Sequence, residues 1–164
     1  MNKSRLVSLL VAGVLLAIAA CDRSVPVRNA NATAPTNGSA RLSIDSIGNT
    51  MRITIGSKTF SAKLYDSPAA TKLKAMLPLT LDMSELNGNE KYFRLPSHLQ
   101  ANDATNPGTI QNGDLMLWGT NSLVLFYKSF QTSYRYTRLG RIVDPSGLAA
   151  AVGRESVIVT FELE

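Results

Sequence analysis

Few residues in this 164-residue chain have the type and spacing that chemistry needs. His98 is the only histidine and Cys21 the only cysteine, so no disulfide can close within the chain. A Ser-His-Asp triad is defined by geometry, and His98 lies in a polar stretch with no signal for one. One histidine and scattered carboxylates give no metal-ligand spacing. No glycine-rich phosphate loop is present, and no cofactor is implied. What remains is Arg94 in "YFRLP" (92–96), beside Tyr92, and the run "LMLWGTNSLVLFY" (115–127), which holds Trp118 and Phe126. Aromatic residues and arginine are enriched in binding surfaces. The chemistry on offer is therefore apolar capture beside an arginine.

Each of these residues also has a plainer reading. Arginine is mostly a surface residue, and Arg94 fits the solvent side of an alternating strand. Phe126 is the best pocket candidate, with a core position as its alternative. In "LMLWG" (115–119) Leu115 and Leu117 share one face and Met116 and Trp118 the other, so both faces are apolar. Such a strand is either covered by a second layer or exposes a binding surface. Covering is the commoner outcome, and burial of Trp118 is the expectation. Tyr134 and Tyr136 share one side of their segment, where they either bind a ligand or pair across strands.

Cys21 belongs to a different element. Lys3 and Arg5 precede a nearly uninterrupted apolar run, Leu6 to Ala20, which is shorter than the roughly 20 residues of a membrane span. This is the layout of a secretory signal peptide. It ends in Ile18-Ala19-Ala20-Cys21, which resembles the bacterial lipobox. That resemblance implies a signal peptide over 1–20, cleavage before Cys21, and a diacylglycerol on its thiol with a palmitate-like chain on its amine. Two or more acyl chains anchor a protein stably without spanning the bilayer. The alternative is an ordinary signal peptide followed by a free thiol, an oxidation liability outside the cytoplasm. The expected location is that of an exported bacterial lipoprotein, held at a membrane of the cell envelope through the lipid on Cys21.

The chain has 17 basic and 12 acidic residues; loss of Lys3 and Arg5 leaves 15 against 12, a net of +3. No basic stripe forms, and a nucleic-acid partner is not expected. Residues 21–50 contain no aromatic residue. A stretch such as "NANATAPTNGSA" (29–40) cannot bury enough apolar surface to offset chain entropy, so it reads as a tether. All aromatic residues fall between Phe60 and Phe161, which places the folded domain at 51–164.

Within that domain period-two alternation dominates. "MRITIG" (51–56), "KTFSAKLY" (58–65), "LTLDMSE" (79–85), "EKYFRL" (90–95), "DLMLWG" (114–119), "LVLFYKSF" (123–130), "SYRYTRLGRI" (133–142) and "SVIVTFELE" (156–164) read as strands. Ser67-Pro68 opens a helix that Pro78 stops. Asp144-Pro145 opens a short second helix that Gly153 ends. Residues 96–110 read as a long polar loop. Eight strands and two helices predict a closed eight-stranded antiparallel β-barrel with helices closing its ends.

Three stretches carry a family resemblance: "MRITIGSKTFSAKLYDSPAATKLKAMLPLTL", "NPGTIQNGDLMLWGTNSLVLFYKSF", and "YTRLGRIVDPSGLAAAVG" with the terminal "VIVTFEL". Together they resemble a cyclophilin-like domain of the small bacterial kind. The resemblance implies the barrel fold. It also raises prolyl isomerase activity, in which an arginine donates to the substrate carbonyl and a Phe/Met pocket holds the proline ring. Peptide rotation has a barrier of about 18–20 kcal/mol, and lowering it needs only a pocket and a fixed donor. Arg94 would be that arginine, but "DMSELNGNEK" (82–91) departs from the enzymes' pattern. "QNGD" (111–114) is similar to an enzyme motif but abuts the wrong strand, and reads as a turn. The leading expectation is a membrane-anchored, non-catalytic module binding a proline-containing peptide or a small ligand through Phe126, Trp118, Tyr92 and Arg94. The alternatives are an isomerase assisting the folding of exported proteins, with Arg94 as carbonyl donor, and a purely structural lipoprotein, which a filled barrel without a groove would favour.

Overall fold

The computed structural model describes residues 48–164. The expected signal segment, Cys21 and most of the tether lie outside the described residues. Ten strands and two helices follow in the order β1 (Thr50–Ile55), β2 (Lys58–Leu64), α1 (Pro68–Lys74), β3 (Leu79–Leu86), β4 (Glu90–Arg94), β5 (Thr109–Ile110), β6 (Asp114–Trp118), β7 (Ser122–Phe126), β8 (Phe130–Gln131), β9 (Thr137–Ile142), α2 (Leu148–Val152) and β10 (Val157–Leu163). Eight of them close a barrel in the order β1-β10-β3-β4-β7-β6-β9-β2. Every pairing is antiparallel.

Alternation builds the interior. Met51, Ile53 and Ile55 of β1, Leu115 and Leu117 of β6, and Leu123 and Leu125 of β7 are all within 2% of full burial and share one core. Both helices feed that core, α1 with Ala69 and Leu73, α2 with Leu148 and Val152. In a closed ring of strands, helical side chains reach the interior only through the open ends. The helices therefore plug the barrel. Ser67 caps α1 as the sequence predicts, its Oγ accepting from Ala70 N at 3.2 Å. The seam between β2 and β9 demands a glycine: a Cβ on Gly140 would sit 2.6 Å from the Lys63 carbonyl oxygen.

Four local expectations are corrected. The loop 96–110 is not featureless: β5 pairs with β8, and Thr105 bridges Tyr136. The strand expected over 123–130 breaks after Phe126, since Phe130 leaves the barrel to pair with Ile110. The strand expected from 133 begins at Thr137. Asp144-Pro145 does not start α2. Asp144 Oδ1 accepts from Ser146 N at 3.0 Å in a local turn, and the helix follows Gly147 at φ 82°. Asp-Pro is as good a turn opener as a helix cap.

Candidate functional site

The outer face of β4, β7 and β6 carries the site. On β4, Lys91 turns into the barrel and Phe93 packs on its core, so Glu90, Tyr92 and Arg94 face outward. Strand register then sets two lateral rows. Arg94 pairs with Ser122, which pairs with Trp118; Tyr92 pairs with Val124, which pairs with Met116. Glu90 pairs with Phe126 one step further along. These rows floor a groove of about 310 Å³, open to solvent. Tyr134 and Tyr136 line it as well, and Leu86 at the end of β3 and Asn87 of the β3–β4 turn lie at the end beside Glu90.

The layer expected over the apolar outer face exists, but it is partial. Ile110, Met116, Val124, Phe126 and Tyr136 form a second core outside the barrel, with Tyr92 and Phe130 packed against it. Strands β5 and β8 bring Ile110 and Phe130 there. Phe126 lies at its centre, fully buried. The ring of Tyr136 meets it edge-on at 5.5 Å, and that of Phe130 lies tilted against it at 5.7 Å. Phe126 thus supports the groove from below instead of lining it. The cover stops short of Trp118, which is 49% exposed, against the expectation of burial. Tyr134 is 65% exposed beside it. Of the residues singled out in the sequence, Trp118, Tyr92 and Arg94 come together in the groove.

The electrostatics are lopsided. The Arg94 guanidinium makes no hydrogen bond or ion pair among the described residues, although it lines the groove. At the other end Glu90 is only 7% exposed. Its Oε1 accepts one long hydrogen bond from Asn87 Nδ2 at 3.4 Å, and no cation pairs with it among the described residues. Burial pushes its carboxyl above the usual range against that hydrogen bond, and the nearby Glu85 charge adds to the rise. Burial also raises the Tyr136 phenol, with the Glu90 charge contributing. Glu90 was missed in the sequence. Its outward phase with Tyr92 and Arg94 was the signal available.

Other candidates fall away. His98 Nδ1 is bonded to Thr120 Oγ1 at 2.6 Å, which staples the 96–110 segment to the β6–β7 turn. Leu99 N donating to Thr120 O reinforces that staple. "QNGD" is a turn as read: Asp114 Oδ2 accepts from Gln111 N at 2.8 Å, with Gly113 at φ 89°. No group of three His, Cys, Asp or Glu residues suits a metal among the described residues.

No curated protein matches the chain. A hypothetical protein of Archaeoglobus fulgidus, solved in solution, aligns with a TM-score of 0.50 and 20% identity, covering 75% of this chain and 100% of that one. At that identity the likeness speaks for the fold alone. The model of the cyclophilin-like family matches residues 53–162, from the middle of β1 to the penultimate residue of β10. With the barrel order and its two plugging helices, this shows that the chain belongs to the cyclophilin-like family.

Proposed function

We propose that this domain is a non-catalytic binding module that takes an extended peptide or small ligand along the groove over β4, β7 and β6. The observation that carries this reading is an aromatic groove, walled by Trp118, Tyr134 and Tyr92, with Arg94 unpaired at one end. Exposed aromatics beside an unpaired arginine are the anchors that binding surfaces use. The isomerase reading has one observation in its favour, which is that Arg94 does line the groove. Against it stands the fate of Phe126. The space over its ring, where a proline would need to sit, is filled by Tyr136 and Phe130.

A proline-peptide isomerisation assay on the protein separates the two. The binding module gives no acceleration over the spontaneous rate. Acceleration that Arg94→Ala abolishes would overturn the non-catalytic reading.

The same proposal places the module at a membrane of the cell envelope, held by lipid on Cys21. The support is the charged, apolar, Ala-Ala-Cys order of residues 1–21. Cells fed labelled palmitate should label the wild-type protein and not Cys21→Ser. Equal labelling of both would remove the anchor.

A further inference from the structure

The two ends of the groove differ in sign. Glu90 and Arg94 lie on the same face of β4, four residues apart, or about 13 Å at the rise of a strand. Neither has a partner of opposite charge among the described residues. Glu90 is more than nine-tenths buried; its Oε2 has no hydrogen-bond partner among the described residues, and what exposure the carboxylate keeps is toward the groove. A carboxylate so placed would normally be paired or lost, because burying an uncompensated charge is costly. The rings nearest along its face are Tyr92, two residues along the strand, and Tyr136 of the second core, whose phenol feels the Glu90 charge; Tyr134 and Trp118 line the same groove, Trp118 at the Arg94 end. Tyrosine and tryptophan faces attract cations, and do so more strongly when water is excluded. A buried carboxylate among aromatic faces is a receptor for an ammonium or guanidinium group.

We propose that the groove selects an extended peptide with a lysine or arginine side chain seated against Glu90 and, about four residues along, a carboxylate held by Arg94. The inference rests on the binding-module reading above and names its ligand. The spacing argues for a peptide. Four extended residues cover the same 13 Å or so that separates the two charges, so a ligand strand lying along β4 keeps step with it. The ends also set polarity: the basic side chain lies at the Asn87 turn, the acidic group at the Trp118 end. The carboxylate can come from an acidic side chain or from a peptide C-terminus, and the chemistry at Arg94 is the same.

Trp118 is the only tryptophan and half exposed in the groove, so its emission reports occupancy directly. The test titrates the full chain with end-capped Lys-Ala-Ala-Ala-Asp. The comparison peptides carry norleucine for the lysine, asparagine for the aspartate, or a free C-terminal carboxylate on Lys-Ala-Ala-Ala. We expect the lysine peptide to bind on the order of tenfold or more tighter than its norleucine counterpart. Glu90→Gln, which retains the shape and the Asn87 hydrogen bond, should erase that difference. Arg94→Ala should erase the preference for aspartate over asparagine, and the free-carboxylate peptide should rank with whichever source the site takes. Equal binding of the lysine and norleucine peptides to the wild type would overturn this proposal and leave the groove reading intact. So would discrimination that survives in Glu90→Gln. No binding by any peptide overturns both.

Discussion

Glu90 and Lys91 are neighbours on β4 and point in opposite directions, one into the groove and one into the barrel. Both side chains are largely buried, yet only one is provided for. The Lys91 Nζ contacts Glu85 Oε2 at 2.6 Å, donates to the Glu155 carbonyl at 2.6 Å, and lies 5.6 Å from the centre of the Tyr127 ring. Tyr127 in turn donates to Glu85 at 2.9 Å. Burial, that hydrogen bond and the Glu85 charge push the Tyr127 phenol up to about 12. Desolvation works to raise the Glu85 carboxyl, but the combined bonds from Lys91, Tyr127 and Gly88 N outweigh it and hold the group below its usual range. Every charge inside has been answered, whereas Glu90 outside has one long bond to an amide. The lesson is that burial alone does not mark a functional group. What separates the two cases is the partner, and they are one residue apart.

The comparison can be broken first from the inside. Glu85→Ala leaves the Lys91 ammonium, fully buried, with one carbonyl. Removing one partner of a buried pair costs about 3–5 kcal/mol, and the low end applies because Glu85 is partly exposed. Denaturant melts should show this loss. Lys91→Met, which removes the charge and keeps the chain length, should cost clearly less, since the exposed edge of Glu85 returns to water. Equal losses would mean that the Lys91 charge and its bonds stabilise the fold in their own right, since methionine keeps the packing.

From the outside the sign reverses. The Glu90 carboxyl is raised in the fold, so its ionisation opposes folding. The penalty is absent below the ordinary glutamate pKa and grows as pH rises through the higher folded value. Glu90→Gln should therefore raise Tm at neutral pH by about a few degrees and leave it unchanged near pH 3. Glu85 behaves in the opposite sense. Its stabilisation is present above the ordinary glutamate range and fades as pH falls through its lowered folded value. Thermal melts of wild type and both variants between pH 3 and 8 check the pair together. A fall in Tm for Glu90→Gln at pH 7 would place Glu90 among the structural groups.

The smallest expected effect lies at a third, exposed pair. Arg52 and Glu162 approach to 3.5 Å on the outer face of β1 and β10, both side chains over 40% exposed. Arg52→Ala should cost under about 1 kcal/mol, and less in high salt.

The barrel was legible in the sequence because period two survives in nearly every strand, and because Ser67-Pro68 and the turn glycines punctuate it. The site was only half legible. Alternation says which residues share a face: it grouped Met116 with Trp118 and Leu115 with Leu117. It does not say how far a covering layer extends. That depended on Ile110, Phe130 and Tyr136, brought over β6 and β7 by a two-stranded pairing too short to leave a periodic trace. Phe126 fell under this cover and Trp118 just beyond it. Lys91 gave no warning either, since a lysine in an alternating strand reads as solvent-facing until its partners from residues 85, 127 and 155 are known.

The ring order has a mechanical consequence. Strand β1, where the described chain enters the barrel, and β7, at the centre of the groove, are four places apart in either direction around the eight. Tension applied through the residues before Gly48 therefore loads the wall opposite the groove. It is met there by two full ladders, β1 with β2 and β1 with β10, pulled in shear. The load is spread over many hydrogen bonds at once and takes no path through β4, β7 or β6. Force entering at β1 is thus kept off the outer face of β4, β7 and β6.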